Sequence, residues 1–305
     1  MLRIPCSELQ VQTHNLFLCF KKQYLTILNN TIRTWEDKMS LLLDAIKSTI
    51  SQEVYNYPVS CVATGAHMTM LKSQRLGTCM TLSDDRVFEF KEHLPVSNLG
   101  EIETLGLEKI LSWTDSLQGI ERSFGVAAVN ASIPLKGKKY FLGNALELAA
   151  SLGKNKIVST VGHFPHTEAI KQSASEFYVL EKRPQEGDYP AEEAVNIIPK
   201  SDVVAITGVT CLNDTLEGLL KFKKPGSTII IVGPSVPLSP ALFDFGVDII
   251  GGAWVEDEPD VYKKILQGAS PRNMKESMRT VLYPKDPNIL YGFEEISPII
   301  RKAIK

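Results

Sequence analysis

From Asn144 onward the chain alternates short, mostly apolar runs with segments of helical pattern, and this rhythm constrains the fold more than any other feature. The runs Lys156–Val161, Phe177–Glu181, Asp202–Thr207, Thr228–Val232 and Val247–Ile250 read as strands. Continuous apolar character, without polar alternation, marks strands covered on both faces. Between them the pattern predicts helices over Asn144–Leu152, His166–Ser175, Pro190–Ile198 and Asn213–Lys221, with a short helical turn at Ser239–Phe243. Strands of this kind separated by helices form a parallel sheet. The expected architecture of residues 136–305 is therefore α/β, a Rossmann-like doubly wound domain.

The preceding stretch, residues 39–135, has a different rhythm. An amphipathic helix is predicted over Trp35–Gln52, with Thr34 as its N-cap and Leu41, Leu42, Ala45, Ile46 and Ile50 on one face. Three strand-like runs follow, Val59–Thr64, His67–Lys72 and Thr78–Leu82, broken by Gly65 and Gly77. Two helices come next, Leu105–Trp113 and Gly119–Ile133, the second rich in small residues that permit close packing. This is a small α+β domain with an antiparallel sheet.

Residues 1–38 stand apart, with five basic and three acidic side chains. Three readings are open: a presequence, a packed accessory segment, or an upstream extension with Met39 as the working start. Two Arg and one Ser are few for a presequence.

Charge and composition narrow the partners. The formal charge of −2 gives no basic field to attract a nucleic acid. The longest apolar runs fall far short of the roughly 20 residues that a spanning helix needs, so no membrane partner is expected. Five scattered cysteines (Cys6, Cys19, Cys61, Cys79, Cys211) form no C-x-x-C pair, which points to a reducing compartment, the cytoplasm. A homo-oligomer is compatible with all of this.

In an open α/β sheet the ligand lies beyond the carboxyl ends of the strands, where the strand order reverses. This nominates Gly162, His163, Phe164 and His166 after the first strand, Glu181 at the second, Thr207 at the third, Gly233, Pro234 and Ser235 at the fourth, and Gly251-Gly252 at the fifth. The first turn reads V-G-H-F-P-H, one glycine where dinucleotide binders use three. Tight dinucleotide binding is therefore disfavoured. Glu181 follows Gly162 by 19 residues, close to the place of a ribose-binding acid; a solvated strand-end carboxylate is the plainer reading. His163 and His166 make an H-x-x-H pair, and imidazole is a common ligand of divalent transition metals. Two histidines alone are an incomplete site. Asn213 reads as a helix N-cap near the same crevice. Acidic Asp257, Glu258 and Asp260 read as helix-dipole compensation. Motifs of hydrolases, P-loop proteins, zincins and kinases are absent.

The segments TVGHFPHTEAI, YVLEKRPQEGDYP, SDVVAITGVTCLNDTLEGLL, IIIVGPSVPLSPALFDFGVDIIGG and SFGVAAVNASI together resemble the putative heavy-metal chelation family over about residues 40–283. The resemblance implies an enolase N-terminal-like domain, a Rossmann-like domain and a site between them. It also implies metal chelation, or binding of a metal-associated small ligand, linked to cobalamin or to metal and siderophore handling. The positions matching the family's motifs are Asn130, Gly162, His163, Phe164, Glu181, Thr207, Asn213, Gly233 and Pro234. The usual family start falls near Met39, which favours the extension reading of residues 1–38. The rival reading is a transferase or oxidoreductase with a nucleotide-like cofactor, of the S-adenosylmethionine or NAD type, and Glu181 on its ribose.

Overall fold

The computed structural model describes residues 40–82, 96–165 and 167–291, which belong to one compact unit. The expectations for residues 1–38 and for the metal-ligand candidate His166 lie outside the described residues. Helix α1 (Leu41–Lys47) is capped by Ser40, whose Oγ accepts from the Leu43 amide at 3.2 Å. Strands β1 (Cys61–Thr64), β2 (Met68–Lys72) and β3 (Leu76–Met80) form the expected antiparallel sheet. Helices α2 (Leu107–Ser112) and α3 (Gly119–Ser132) follow.

Small residues set how closely α3 packs. A Cβ on Gly77 of β3 would lie 2.1 Å from the Ala127 carbonyl oxygen, and one on Gly125 would lie 2.4 Å from the Thr114 nitrogen. Any larger side chain at either place would drive backbones apart. In return α3 is buried almost throughout its length. Its residues Val126, Ala128 and Val129 share one apolar cluster with Leu42 and Ile46 of α1 and with Val204, Ile206, Ile229 and Ile231 of the large sheet.

That sheet is built from β4 (Phe141–Leu142), β5 (Ile157–Val161), β6 (Glu176–Glu181), β7 (Tyr189–Pro190), β8 (Val203–Thr207), β9 (Thr228–Val232), β10 (Ile249–Val255) and β11 (Met278–Pro284). The strands lie in the order β4-β11-β10-β9-β8-β5-β6-β7. Counted from β5, its six parallel strands run 3-2-1-4-5-6, the order of a doubly wound sheet whose switch point lies between the first and fourth strands. Helices α4 (Ala145–Leu152), α5 (Glu168–Ser173), α6 (Ala194–Ile197), α7 (Val209–Leu212), α8 (Leu216–Leu220), α9 (Ala241–Asp244) and α10 (Glu258–Leu266) complete the described elements labelled here. Asn144 caps α4 by accepting from the Leu146 amide at 2.9 Å, and Asp257 caps α10 by accepting from Asp260 at 3.0 Å.

Three expectations change. The predicted helix Asn213–Lys221 shortens to α8 (Leu216–Leu220): Asp214 adopts φ +56°, so residues 213–215 form the turn that follows a separate short helix, α7 (Val209–Leu212). Asn213 is therefore the C-cap of α7 and not an N-cap. Gly251 and Gly252 lie inside β10 rather than at a strand end. Only Ile249–Gly251 pair with β9, and the antiparallel partner β11 carries β10 on to Val255. A Cβ on Gly251 would sit 2.9 Å from Ala145 Cβ, and one on Gly252 2.5 Å from Leu238 Cδ2. The glycine pair serves packing. No helix among the described residues is long and apolar enough to cross a membrane.

Candidate functional site

At the switch point β5 and β8 are neighbours in parallel register, Val161 beside Ile206. The chain leaves each in the opposite direction along the sheet, which opens a crevice at Gly162 and Thr207. Gly162 has φ +100° and donates to the Leu180 carbonyl at 2.8 Å. A Cβ there would fall 2.9 Å from Thr207 Cγ2. Glycine is thus required both by its backbone angle and by contact with the Thr207 methyl. This glycine packs on protein where a dinucleotide binder's would admit pyrophosphate.

Glu181 ends β6, and its carboxylate draws the neighbouring turn to it. Oε2 accepts from the His163 amide at 2.9 Å and Oε1 from the Lys182 amide at 2.8 Å. The His163 ring is then held by Asp188: Nδ1 lies 3.3 Å from Asp188 Oδ2. The Asp188 side chain is only 6% exposed, whereas that of His163 is 48% exposed. Asp188 also accepts from the Gln185 amide at 3.0 Å, which closes the polar loop after β6. A carboxylate on Nδ1 favours the tautomer with hydrogen there, leaving the outer nitrogen, Nε2, as a lone-pair donor.

The remaining candidates divide by position. Thr207 Oγ1 accepts from the Val209 amide at 3.4 Å. Asn213, with its amide oriented to donate to the Val209 carbonyl and the Thr215 hydroxyl, accepts from Lys182 Nζ at 3.1 Å, which ties it to the β6 end. Phe164 packs its ring on the apolar cluster around Leu148 and Ile170. Gly233 (φ +134°) donates to the Gly251 carbonyl at 2.9 Å. Ser235 is fully buried, and its Oγ accepts from the Met80 amide at 2.8 Å, pinning β3 to the turn after β9.

Asn130 and Pro234 belong to a second place. Asn130, near the end of α3, donates from Nδ2 to the Thr78 carbonyl at 2.8 Å and to the Pro234 carbonyl at 3.4 Å. Both line a cavity of about 150 Å³, with Arg75, Thr78, Trp254 and Glu258 among the other walls. Val236 lines this cavity and packs against Gly208 at the end of β8, so it stands between the two places. The structure thus brings Gly162, His163, Glu181, Thr207 and Asn213 together at the crevice, and sets Asn130 and Pro234 in the cavity.

Burial shapes the ionisable groups. It lowers the Arg75 pKa to about 10 and, with Arg75 beside it, lowers that of Lys138. It raises the Tyr140 hydroxyl, partly countered by the Arg75 charge. Cys211, fully buried, is pushed up to about 12, which leaves no thiolate to act as a nucleophile or ligand. Among the described residues no group of three or more His, Cys, Asp or Glu is arranged to hold a metal ion.

Two residues escaped sequence reasoning. Asp188 follows Glu181 in the loop KRPQEGDYP, where its acid is one of two, with Glu186, and no pattern selects between them. Arg75 sits in the β2–β3 hairpin and carries no sequence signal at all.

Residues 47–133 and 144–284 each match a family model described as putative heavy-metal chelation. An uncharacterised protein of Methanocaldococcus jannaschii is 31% identical over 194 residues, covering 60% of this chain and 71% of that protein. Two solved structures of DUF364-family proteins of unknown function share the fold. The one from Desulfitobacterium hafniense is 24% identical with a TM-score of 0.67, over 80% of this chain and 98% of that one. The one from Pyrococcus horikoshii is 22% identical with a TM-score of 0.65, over 80% and 100%.

Proposed function

We propose, from the premise that this chain belongs to the family described as putative heavy-metal chelation, that it binds a divalent transition metal at the switch-point crevice through His163. The observation that carries this reading is the Asp188–His163 pair. A histidine that ligates a metal through one nitrogen usually gives the other to a carboxylate, which fixes the ring and raises its basicity. Here the buried Asp188 carboxylate holds Nδ1 of a half-exposed imidazole.

The described donors at the crevice are this imidazole and the Glu181 carboxylate, fewer than the four of a closed zinc site. The Glu181 oxygens already accept backbone N–H groups. The reading therefore favours a metal that arrives with part of its coordination supplied by a small ligand, and the link to cobalamin or siderophore handling belongs to the same proposal. Calorimetric titration with nickel, cobalt, zinc and ferrous iron, each alone and with excess citrate, tests it. Binding by the wild type, loss in His163→Ala, and roughly 10–100-fold weakening in Asp188→Asn are expected. No binding under any of these conditions, or equal binding by wild type and His163→Ala, refutes it.

The rival reading, a nucleotide-like cofactor with Glu181 on its ribose, draws support from the strand order. Against it stand the engaged Glu181 oxygens and the Gly162–Thr207 contact. A thermal-shift screen with NAD and S-adenosylmethionine separates the two, because ligand at 100 times its Kd adds about 2.7 kcal/mol of stability.

A further inference from the structure

The cavity between β3, α3 and β10 carries polar groups that the His163 crevice does not use. Arg75 enters it from the β2–β3 hairpin, donating from Nη1 to the Ile133 carbonyl at 2.6 Å and from Nη2 to the Asn130 carbonyl at 2.5 Å. Those bonds to the end of α3 use two of the five guanidinium N–H groups and leave three. Among the described residues Arg75 has no carboxylate partner. The negative end of the α3 dipole compensates for part of its charge.

Asn130 supplies the complementary group. Its Nδ2 is committed to the Thr78 and Pro234 carbonyls, which fixes the orientation of the amide. Its Oδ1 is buried and has no hydrogen-bond partner among the described residues. Buried acceptors are seldom left unmade. Glu258, also on the wall, is paired with the Lys72 ammonium at 2.6 Å and accepts from the Leu76 amide at 3.1 Å, so it does not cancel the positive character of the Arg75 side. A cavity of about 150 Å³ accepts one molecule of roughly benzene size.

We infer that this cavity binds a small carboxylic acid that also carries a hydroxyl or amino group, with its carboxylate on Arg75 and its O–H or N–H on Asn130 Oδ1. The inference is independent of metal binding at His163. Calorimetric titration of the full chain in metal-free buffer with lactate, alanine and propionate tests it, on wild type, Arg75→Gln and Ala253→Leu. Glutamine can still donate to the end of α3 but lacks the charge; leucine at 253 fills the cavity and leaves Arg75 intact. Saturable binding of lactate or alanine is expected, with propionate at least tenfold weaker because it leaves Asn130 Oδ1 unpaired. Arg75→Gln should weaken binding at least tenfold, and Ala253→Leu should abolish it. Should Arg75→Gln not fold, the comparison of wild type with Ala253→Leu still decides. No binding of lactate or alanine at millimolar concentration, propionate as good as lactate and alanine, or equal binding by wild type and Ala253→Leu overturns the inference.

Discussion

Replacing Asp214 with asparagine removes half of the ion pair that ties α3 to the break between α7 and α8. Arg122 on α3 is 11% exposed and Asp214 23% exposed, and each is the other's ion-pair partner. Burial raises the Asp214 pKa, and the Arg122 charge only partly reverses this. An acid whose folded pKa is raised binds its proton more tightly when folded. Its titration thus favours the native state at low pH, and that advantage is lost as pH rises from the ordinary value of 3.8 through the folded pKa. The pair is therefore no net gain over two solvated charges, yet halving it leaves the Arg122 guanidinium buried and unpaired. Breaking a buried pair costs about 3–5 kcal/mol; the residual exposure of Asp214 places the expected loss near the lower end, about 3 kcal/mol. Asparagine tolerates the left-handed backbone of position 214, so strain does not confuse the result. Urea unfolding should show a lower midpoint at unchanged m-value. The Tm should fall by about 6–12 °C, at roughly 2–4 °C per kcal/mol for a chain of this size. Adding Arg122→Met should recover part of the loss, since no uncompensated charge then remains. Stability of Asp214→Asn within about 0.5 kcal/mol of wild type, or a double variant equal to the sum of the singles, refutes the reasoning.

Gly162→Ala should cost about 2 kcal/mol, from its positive φ and the approach to Thr207, with part recovered by Thr207→Ser; denaturant titration of both measures it. Ser235→Ala strips the buried Met80 amide of its acceptor and should cost about 1–3 kcal/mol, read as a lower thermal midpoint. Although burial opposes it, hydrogen bonds from Ser116 and Ser97 hold the Glu121 carboxyl below its ordinary value of 4.5. Its contribution is complete above that value and drains away as the pH falls through the lower folded pKa. The acid limb of a stability–pH profile should accordingly be less steep in Glu121→Gln than in wild type.

How much of this was legible in the sequence depends on whether the signal is local. The strand Thr228–Val232 is found at its predicted bounds, because an unbroken β-branched run between Gly226 and Gly233 has no other use. Asn144 caps its helix as its residue type suggests. The small residues of α3 meet the close crossings expected of them. The far end of β10 and all of β11 were not legible, since their pairing joins segments that sequence spacing does not relate. The left-handed turn at Asp214, which delays the helix start to Leu216, went unread because the partner of Asp214, Arg122, lies in a distant part of the chain.

The class of the fold is written in the chain's local pattern: a parallel sheet covered by helices, preceded by a small antiparallel sheet, with functional candidates at the strand ends. Apolar periodicity and glycine placement are properties of neighbouring residues, and they survive without a tertiary context. How those candidates group is set by long-range packing. It gave His163 its partner in Asp188, turned Ser235 inward onto Met80, and drew Asn130 away from the crevice into a cavity with Arg75. Such groupings depend on burial and on hydrogen bonds between residues far apart in the chain, and no local pattern records which of several equivalent acids or bases will meet.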